Sequence, residues 1–263
     1  MVRQFAFATV LVALSSVAVF AADPWIGKEV YWKSGAKAKL GEREFNIQLV
    51  PFPATVRDVD GDWLWLERAW VHQDDVFLPK QALDYWSEQI RQKPSAAQNW
   101  ENRGLIWNNR GKFDNAIKDL TEAIRLEPES ASAYANRGYS WSMKGDFDKA
   151  LKDYTKAMKL DPSDADSYAA AAWLRATCPD RAYRDGGRAV TNATTACILS
   201  EWTDSSTIDI LAAAYAELGD FSSAIKWQEK AIELATEDSD KADMRLRLGL
   251  YEKGKPYREM PNK

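Results

Sequence analysis

Two hydrophobic patterns divide the chain. Before residue 79 the apolar residues come in short runs broken by turn residues. The clearest case is Val56 to Leu66, where two runs flank Asp60-Gly61. Asp-Gly between such runs predicts a two-stranded hairpin. After residue 79 the runs give way to longer windows with apolar residues three or four apart, the spacing of one face of a helix. Residues 97–130 carry Trp100, Gly104, Trp107, Gly111, Phe113, Ala116, Leu120, Ala123 and Pro128. Residues 131–164 carry Tyr134, Gly138, Trp141, Gly145, Phe147, Ala150, Tyr154, Ala157 and Pro162 in the same register. Pro94, Pro128 and Pro162 share a spacing of 34 residues. Each window predicts a helix, a glycine stop, a second helix and a proline stop.

The small residues say how the helices pack. Gly104 and Gly138 fall mid-helix, where glycine costs about 1 kcal/mol against alanine. That cost is offset only if a facing helix must come close. Ala116, Ala123, Ala150 and Ala157 offer the matching small surface. Upstream, Ala82, Trp86 and Pro94 repeat the second-helix positions alone, so residues 79–96 read as a half-unit. Downstream, residues 165–204 form a degenerate unit with Tyr168 and Trp173, with Ala172 at the glycine position and Ala189, Ala193 and Ala196 in its second helix. The step from Ala150 to Ala189 is 39 residues, five above the period, and the surplus falls in 178–187. Residues 205–238 restore the pattern with Tyr215, Gly219, Phe221, Ala224 and Ala231. Residues 239–253 predict a charged last helix, the polar cap that a stacked array needs for solubility.

These positions resemble the tetratricopeptide repeat family, whose 34-residue unit is a helix–turn–helix that stacks on its neighbours. The resemblance implies a mainly α fold, an α-solenoid, with a concave groove lined by the first helix of each unit. It puts Glu101, Asn102, Leu105, Asn108, Asn109, Ala135, Asn136, Tyr139, Ser142 and Met143 on that groove. Asparagine amides both donate and accept, which suits a peptide backbone. The candidate binding residues are therefore Asn102, Leu105, Asn109, Asn136, Tyr139 and Met143. Chaperone-binding members carry a lysine at the fifth position to hold a terminal carboxylate. Glu101 and Ala135 stand there, so that activity is disfavoured.

Residues 23–78 predict about five short strands, at 28–33, 45–50, on either side of Asp60-Gly61, and at Ala69-Trp70-Val71, with a closing turn at 75–78. The order resembles SH3-like domains of the bacterial extracellular type, in which a hairpin precedes a Gly-Trp-Val-like strand. Ala69 stands where that glycine is usual. The whole chain thus reads as a small SH3-like β-barrel followed by the solenoid. Strand side chains alternate, so Leu64 and Leu66 share one face and Trp63 and Trp65 the other. The leucines are assigned to the core. Trp63 then either packs on the neighbouring helix at Trp86 or joins an aromatic ligand shelf.

Arg3 precedes an uncharged run from Phe5 to Phe20, and small residues follow at Ala21 and Ala22. This is the layout of a secretory signal peptide over 1–21. The run of about 16 residues is short for a bilayer span of roughly 20. The expectation is an exported chain, periplasmic or secreted, and not an integral membrane protein once the signal is cleaved. With 35 basic and 39 acidic residues and no basic stripe, nucleic acid is not an expected partner. The single histidine, His72, has no ligand-spaced companions, so no metal or other cofactor is expected. Nor is there a nucleophile–base pair, and so no catalytic residue is expected. Cys178 and Cys197 leave two alternatives open, a disulfide or two buried thiols. The surrounding Ala-Thr-Cys-Pro-Asp, Tyr-Arg-Asp-Gly and Ala-Cys stretches resemble a variant unit common in bacterial tetratricopeptide proteins. That resemblance assigns no activity. The reading that follows is a non-catalytic scaffold for a protein or peptide partner. The alternatives are a cell-wall adaptor, in which the barrel grips peptidoglycan, and a non-catalytic subunit of an enzyme complex.

Overall fold

The computed structural model describes residues 28–33, 36–40, 43–46, 54–66 and 69–259. The signal-peptide reading at 1–21 and part of the strand expected at 45–50 lie outside them. The chain divides into two compact units, Met1–Pro79 and Lys80–Lys263.

The first unit is antiparallel β-structure. Its described strands are β1 (Glu29–Trp32), β2 (Lys37–Leu40), β3 (Arg43–Asn46), β4 (Ala54–Thr55), β5 (Asp58–Asp60), β6 (Trp63–Trp65), β7 (Trp70–His72) and β8 (Val76–Phe77). They form one sheet in the order β4-β1-β8 and another in the order β3-β2-β7-β6-β5. The hairpin turns on Gly61, whose φ of 58° is left-handed. Leu64 pairs with Val71, and Ala38 pairs with Val71 from the other side. All three are buried with Val30, Val56 and Leu66. The leucine face is the core, and Trp63 and Trp65 are half-buried on the opposite face. The described strands outnumber the five expected. Strand β2 has a weak sequence signal because Lys-Ala-Lys-Leu turns only a small residue, Ala38, into the core. The closing turn at 75–78 is a 3-10 turn, Gln73–Asp75, followed by β8, which pairs with β1.

The second unit is helical: α1 (Pro79–Gln92), α2 (Ala97–Asn109), α3 (Phe113–Leu126), α4 (Ala131–Met143), α5 (Phe147–Leu160), α6 (Ala165–Thr177), α7 (Gly186–Leu199), α8 (Ser205–Leu218), α9 (Phe221–Leu234) and α10 (Asp238–Tyr251). From α2 onward each helix packs against the next. The glycines explain the fit. A Cβ at Gly104 would stand 2.8 Å from Leu120 Cγ, and one at Gly138 would stand 2.9 Å from the Tyr154 ring. Leu120 and Tyr154 are buried at those contacts, each burial contributing about 1.5–3 kcal/mol. Gly111 and Gly145 have φ of 66° and 80°. In each case the next N–H reaches back to the helix, Lys112 to Trp107 O at 2.8 Å and Asp146 to Trp141 O at 2.9 Å. Gly219 ends α8 in the same way, with Asp220 N–H on Tyr215 O at 3.0 Å. This left-handed stop satisfies carbonyls that the helix itself leaves open.

A second repeat lies beneath the hydrophobic one. Arg103 forms two bonds to Asp119, at 2.7 and 2.8 Å, and Arg137 forms two to Asp153, at 2.8 and 2.9 Å. Each guanidinium also reaches the preceding unit's second helix, Arg103 to Ser87 at 3.1 Å and Arg137 to Thr121 at 3.2 Å. One planar cation thus ties three helices together, using the fork of donors that lysine lacks.

Units three and four are packed differently. Ala172, Ala176, Ala189, Ala193, Ala213 and Ala231 share one core with Ile208 and Leu211. These small side chains let α6 lie directly against α8. Cys178 and Cys197 are free and buried, Cys178 beside Tyr154 and Leu174 and Cys197 in the alanine-rich core. Of the two alternatives, the structure has the thiols. Burial pushes the Cys197 thiol up to about 11.

Candidate peptide-binding groove

The first helices α2, α4, α6 and α8 present the candidate groove residues unevenly. Asn102 is half-buried and its Oδ1 accepts from Gln98 Nε2 at 3.1 Å. Leu105 and Asn136 are half-buried, and Asn109 is exposed. Tyr139 is exposed with its ring 6.2 Å from Phe113. Burial of the ring edge and the charge of Glu259 raise its phenol pKa. Met143 lies beside it.

Two of the positions that the resemblance put on the groove are closed off. Asn108 is buried: its Oδ1 accepts from Ser140 Oγ at 2.6 Å, and its Nδ2 donates to Asn136 O at 3.1 Å. Glu101 is buried too and accepts from Ser130 Oγ at 3.2 Å. Burial pushes the Glu101 carboxyl upward, and hydrogen bonds from Ser132 and Ser130 only partly oppose this. Both side chains join α2 to α4, so the stacking of units one and two uses them up.

Trp63 lies in the β-unit. Its ring meets His72 edge-on at 5.3 Å, and Lys39 Nζ stands 3.4 Å from the ring centroid. Trp65 and Trp70 lie alongside, 5.4 Å apart. The outward face of β2, β7 and β6 is thus aromatic with one cation above it. Among the described residues no cluster of histidine, cysteine and carboxylate side chains could hold a metal ion.

Where α4 meets α6 the groove deepens into a cavity of about 510 Å³. Tyr139, Met143, Phe147, Trp173 and Leu174 line it, together with Glu259 from the far end of the chain. The chain reaches that point by reversing after α10. Gly254 takes a φ of 65°, and Lys255 N–H bonds Leu250 O at 3.0 Å. Residues 255–259 then run over α6 with no helix or strand of their own. Tyr257 meets the Trp173 ring at 5.8 Å, Arg258 pairs with Glu217, and Glu259 N–H bonds Thr177 O at 2.9 Å. The repeat pattern does not extend to this segment and gives it no place.

Arg247 from α10 stands 5.7 Å from the Trp173 ring and 5.6 Å from the Tyr257 ring. Asp209 anchors it at 2.9 Å, and Gln228 donates to the same carboxylate at 2.6 Å. Burial raises the Asp209 carboxyl, with Arg247 and Gln228 pulling it back. The groove therefore contains an aromatic wall, a fixed cation, a half-buried carboxylate at Glu217 and carbonyls at the end of α6 that residues 258 and 259 take up. It can hold a polypeptide by stacking, ion pairing and main-chain bonds. Among the described residues, no helix is long and apolar enough to cross a membrane.

Three family models match the chain: a tetratricopeptide repeat over residues 131–164, a TPR repeat over 104–140 and a tetratricopeptide repeat over 209–238. No curated protein matches it in sequence. Solved structures do match in fold. MamA from Desulfovibrio magneticus is 18% identical with a TM-score of 0.52, covering 59% of this chain and 85% of its own. A thermophilic TPR protein from Thermus thermophilus is 16% identical with a TM-score of 0.52, covering 67% and 90%. YrrB, described as a TPR protein with an unusual peptide-binding site, is 15% identical with a TM-score of 0.50, covering 64% and 84%. The fold is a tetratricopeptide solenoid preceded by a small β-region, and the repeats are matched at residues 104–164 and 209–238.

Proposed function

We propose that this chain is an exported, non-catalytic scaffold that binds a protein or peptide partner in the concave groove of its helical unit. One observation carries the reading. The groove already holds a polypeptide segment, residues 255–259, through a main-chain bond from Glu259 N–H to Thr177 O at 2.9 Å. Repeats of this kind generally mediate protein–protein interaction, and the structural neighbour YrrB is described as having a peptide-binding site. Export rests on the apolar run at Phe5 to Phe20 and on the small residues after it. The mature chain is then expected to begin at Ala22 or Asp23, and N-terminal sequencing of the natural protein checks this. A photo-crosslinking residue in place of Tyr139 tests the groove in the chain's own compartment. A discrete polypeptide adduct is expected there, and none from the same residue at Lys118, exposed on α3. Equal labelling at both positions would sink the reading.

A second reading gives the ligand to the β-unit. It is favoured by the aromatic face of Trp63, Trp65 and Trp70 with Lys39 above it. Such a face suits stacking on a cell-wall polymer such as peptidoglycan. Co-sedimentation with purified wall material, lost in Trp63→Ala, would support it.

A further inference from the structure

The docked segment meets the one helix end that breaks the rule of the other units. Helices α2, α4 and α8 stop on a left-handed glycine that satisfies their last carbonyls. Helix α6 stops at Cys178-Pro179, with Cys178 at φ −47° and ψ 131°. Pro179 has no N–H to give, so the last carbonyls of α6 must find partners elsewhere. Cys178 N–H takes Leu174 O at 3.0 Å, and Asp185 N–H takes Arg175 O at 3.0 Å from across the insertion. The two that remain are taken by the tail. Arg258 Nη1 donates to Ala176 O at 3.2 Å, and Glu259 N–H donates to Thr177 O at 2.9 Å.

The side chains add a pattern. Tyr257 lies against Trp173, tilted by 36°, and Arg247 stands within reach of both rings. A cation against two aromatic faces favours an aromatic residue at this point over an aliphatic one. Arg258 meets Glu217 with one terminal nitrogen and Ala176 O with the other. A lysine ammonium lacks the planar fork that reaches both. Glu217 is itself held at 3.1 Å by Arg184, an insertion residue that also donates to Cys178 O at 2.8 Å. The carboxylate therefore keeps a cation when Arg258 leaves, and the site survives vacancy.

We propose that the groove at units three and four selects a peptide with an aromatic residue directly followed by arginine, and that Tyr257-Arg258 occupies this site until such a partner displaces it. This rests on the peptide-binding reading above and specifies its ligand. The five-residue insertion gains a role, since it leaves the α6 carbonyls open and brings Arg184 to Glu217.

The test uses a fluorescein-labelled peptide with the sequence of residues 254–263 and the full-length chain. The variant Tyr257→Ala/Arg258→Ala should bind it at least about tenfold more tightly than the wild type, whose own tail competes. Replacing the peptide's arginine with lysine, or adding Glu217→Gln to the chain, should weaken binding by about ten- to a hundredfold. Melting curves check folding. If the double variant does not fold, Arg258→Lys in the chain allows the same comparison. Equal binding by wild type and released chain overturns the proposal. So does dimerisation of the wild type abolished by the tail variant, which would give the site to a second copy. Panning a random peptide library on the released chain separates this inference from the reading beneath it. Enrichment of peptides without an aromatic–arginine pair overturns the inference and leaves peptide binding intact. Failure to enrich any peptide overturns both.

Discussion

Units one and two are near-copies of each other, and unit three is not. In the first two, every feature recurs at 34 residues: the packed glycine, the left-handed stop, and the arginine–aspartate pair that ties three helices. Two of their groove-assigned polar side chains are spent between the units, Asn108 on Ser140 and Glu101 on Ser130. Unit three has Ala172 for the glycine, no left-handed stop, and five extra residues. It is also where a polypeptide segment is bound. The regular units close their helix ends locally, whereas the irregular one has its last two carbonyls taken by residues 258 and 259. On the proposed reading, the departures from the consensus in unit three, and not its consensus positions, mark the binding surface of this chain.

Removing one partner of the repeated ion pair should have the largest effect. In Arg137→Ala the aspartate, whose side chain is only 9% exposed, loses its cation. Leaving a buried charge uncompensated costs about 3–5 kcal/mol. Chemical denaturation should show that loss. Exposed Arg188, which reaches Asp185 at 3.4 Å, should change stability by less than about 0.5 kcal/mol when replaced by alanine. Similar losses for the two would mean that the pair is ornamental and that units one and two are not held as described.

Gly138→Leu comes next. The added side chain would enter the space of Tyr154 and Ala150 O, where even a Cβ stands at 2.9 and 3.3 Å. Overpacking of this kind costs about 1–3 kcal/mol or somewhat more. The exposed Lys149→Ala should be nearly silent. Coincident thermal melts of the two variants would break the close-packing argument for the regular units.

Much of this was legible in the sequence because the regular units repeat their own constraints. Nine matching positions marked each helix, its partner and its stop. The arginine–aspartate pairs are equally periodic, Arg103 and Arg137 being 34 residues apart like Asp119 and Asp153, but a pattern of apolar positions does not register charged ones. Strand β2 is faint in the sequence because its inward residue is only an alanine. Family geometry gives the direction of a groove side chain but not its neighbours, so it cannot show that Glu101 and Asn108 are taken up by Ser130 and Ser140. The tail was illegible in principle. Nothing local in Lys-Pro-Tyr-Arg-Glu announces a docking segment; its place is set by carbonyls, rings and a carboxylate contributed by α6 and α8 far upstream.

Asn102→Ala with Asn136→Ala separates the two halves of the groove. If the partner extends from unit three along units one and two, binding should weaken by about ten- to a hundredfold while the melting temperature barely moves, since each hydrogen bond to the peptide is worth about 0.5–1.5 kcal/mol. Unchanged partner capture would confine recognition to units three and four. Titration calorimetry with the captured partner distinguishes the two outcomes.

The smallest expected effect concerns the position shared by Glu101 and Asp209, where units two and three carry Ala135 and Ala169. Both carboxyls have pKa values raised chiefly by burial. A carboxyl whose folded pKa lies above its unfolded value binds more protons when folded. Its contribution is then fully present below the unfolded pKa, near 4.5 for Glu101, and is lost as pH rises through the folded pKa. Glu101 has serine hydroxyls and the like charge of Glu127 for company and no cation, so Glu101→Gln should remove that decline and gain stability at pH 7 relative to pH 4. Asp209 differs in having Arg247 at 2.9 Å. Asp209→Asn removes the same penalty but strands a guanidinium that is 13% exposed and that braces Trp173 and Tyr257. It should therefore lose stability and loosen the tail. Urea midpoints at the two pH values, set beside hydrogen exchange at residues 255–259, measure both. If the two variants shift together, in either direction, the regular and irregular ends of the solenoid handle buried charge alike, and the distinction drawn between them fails at this position.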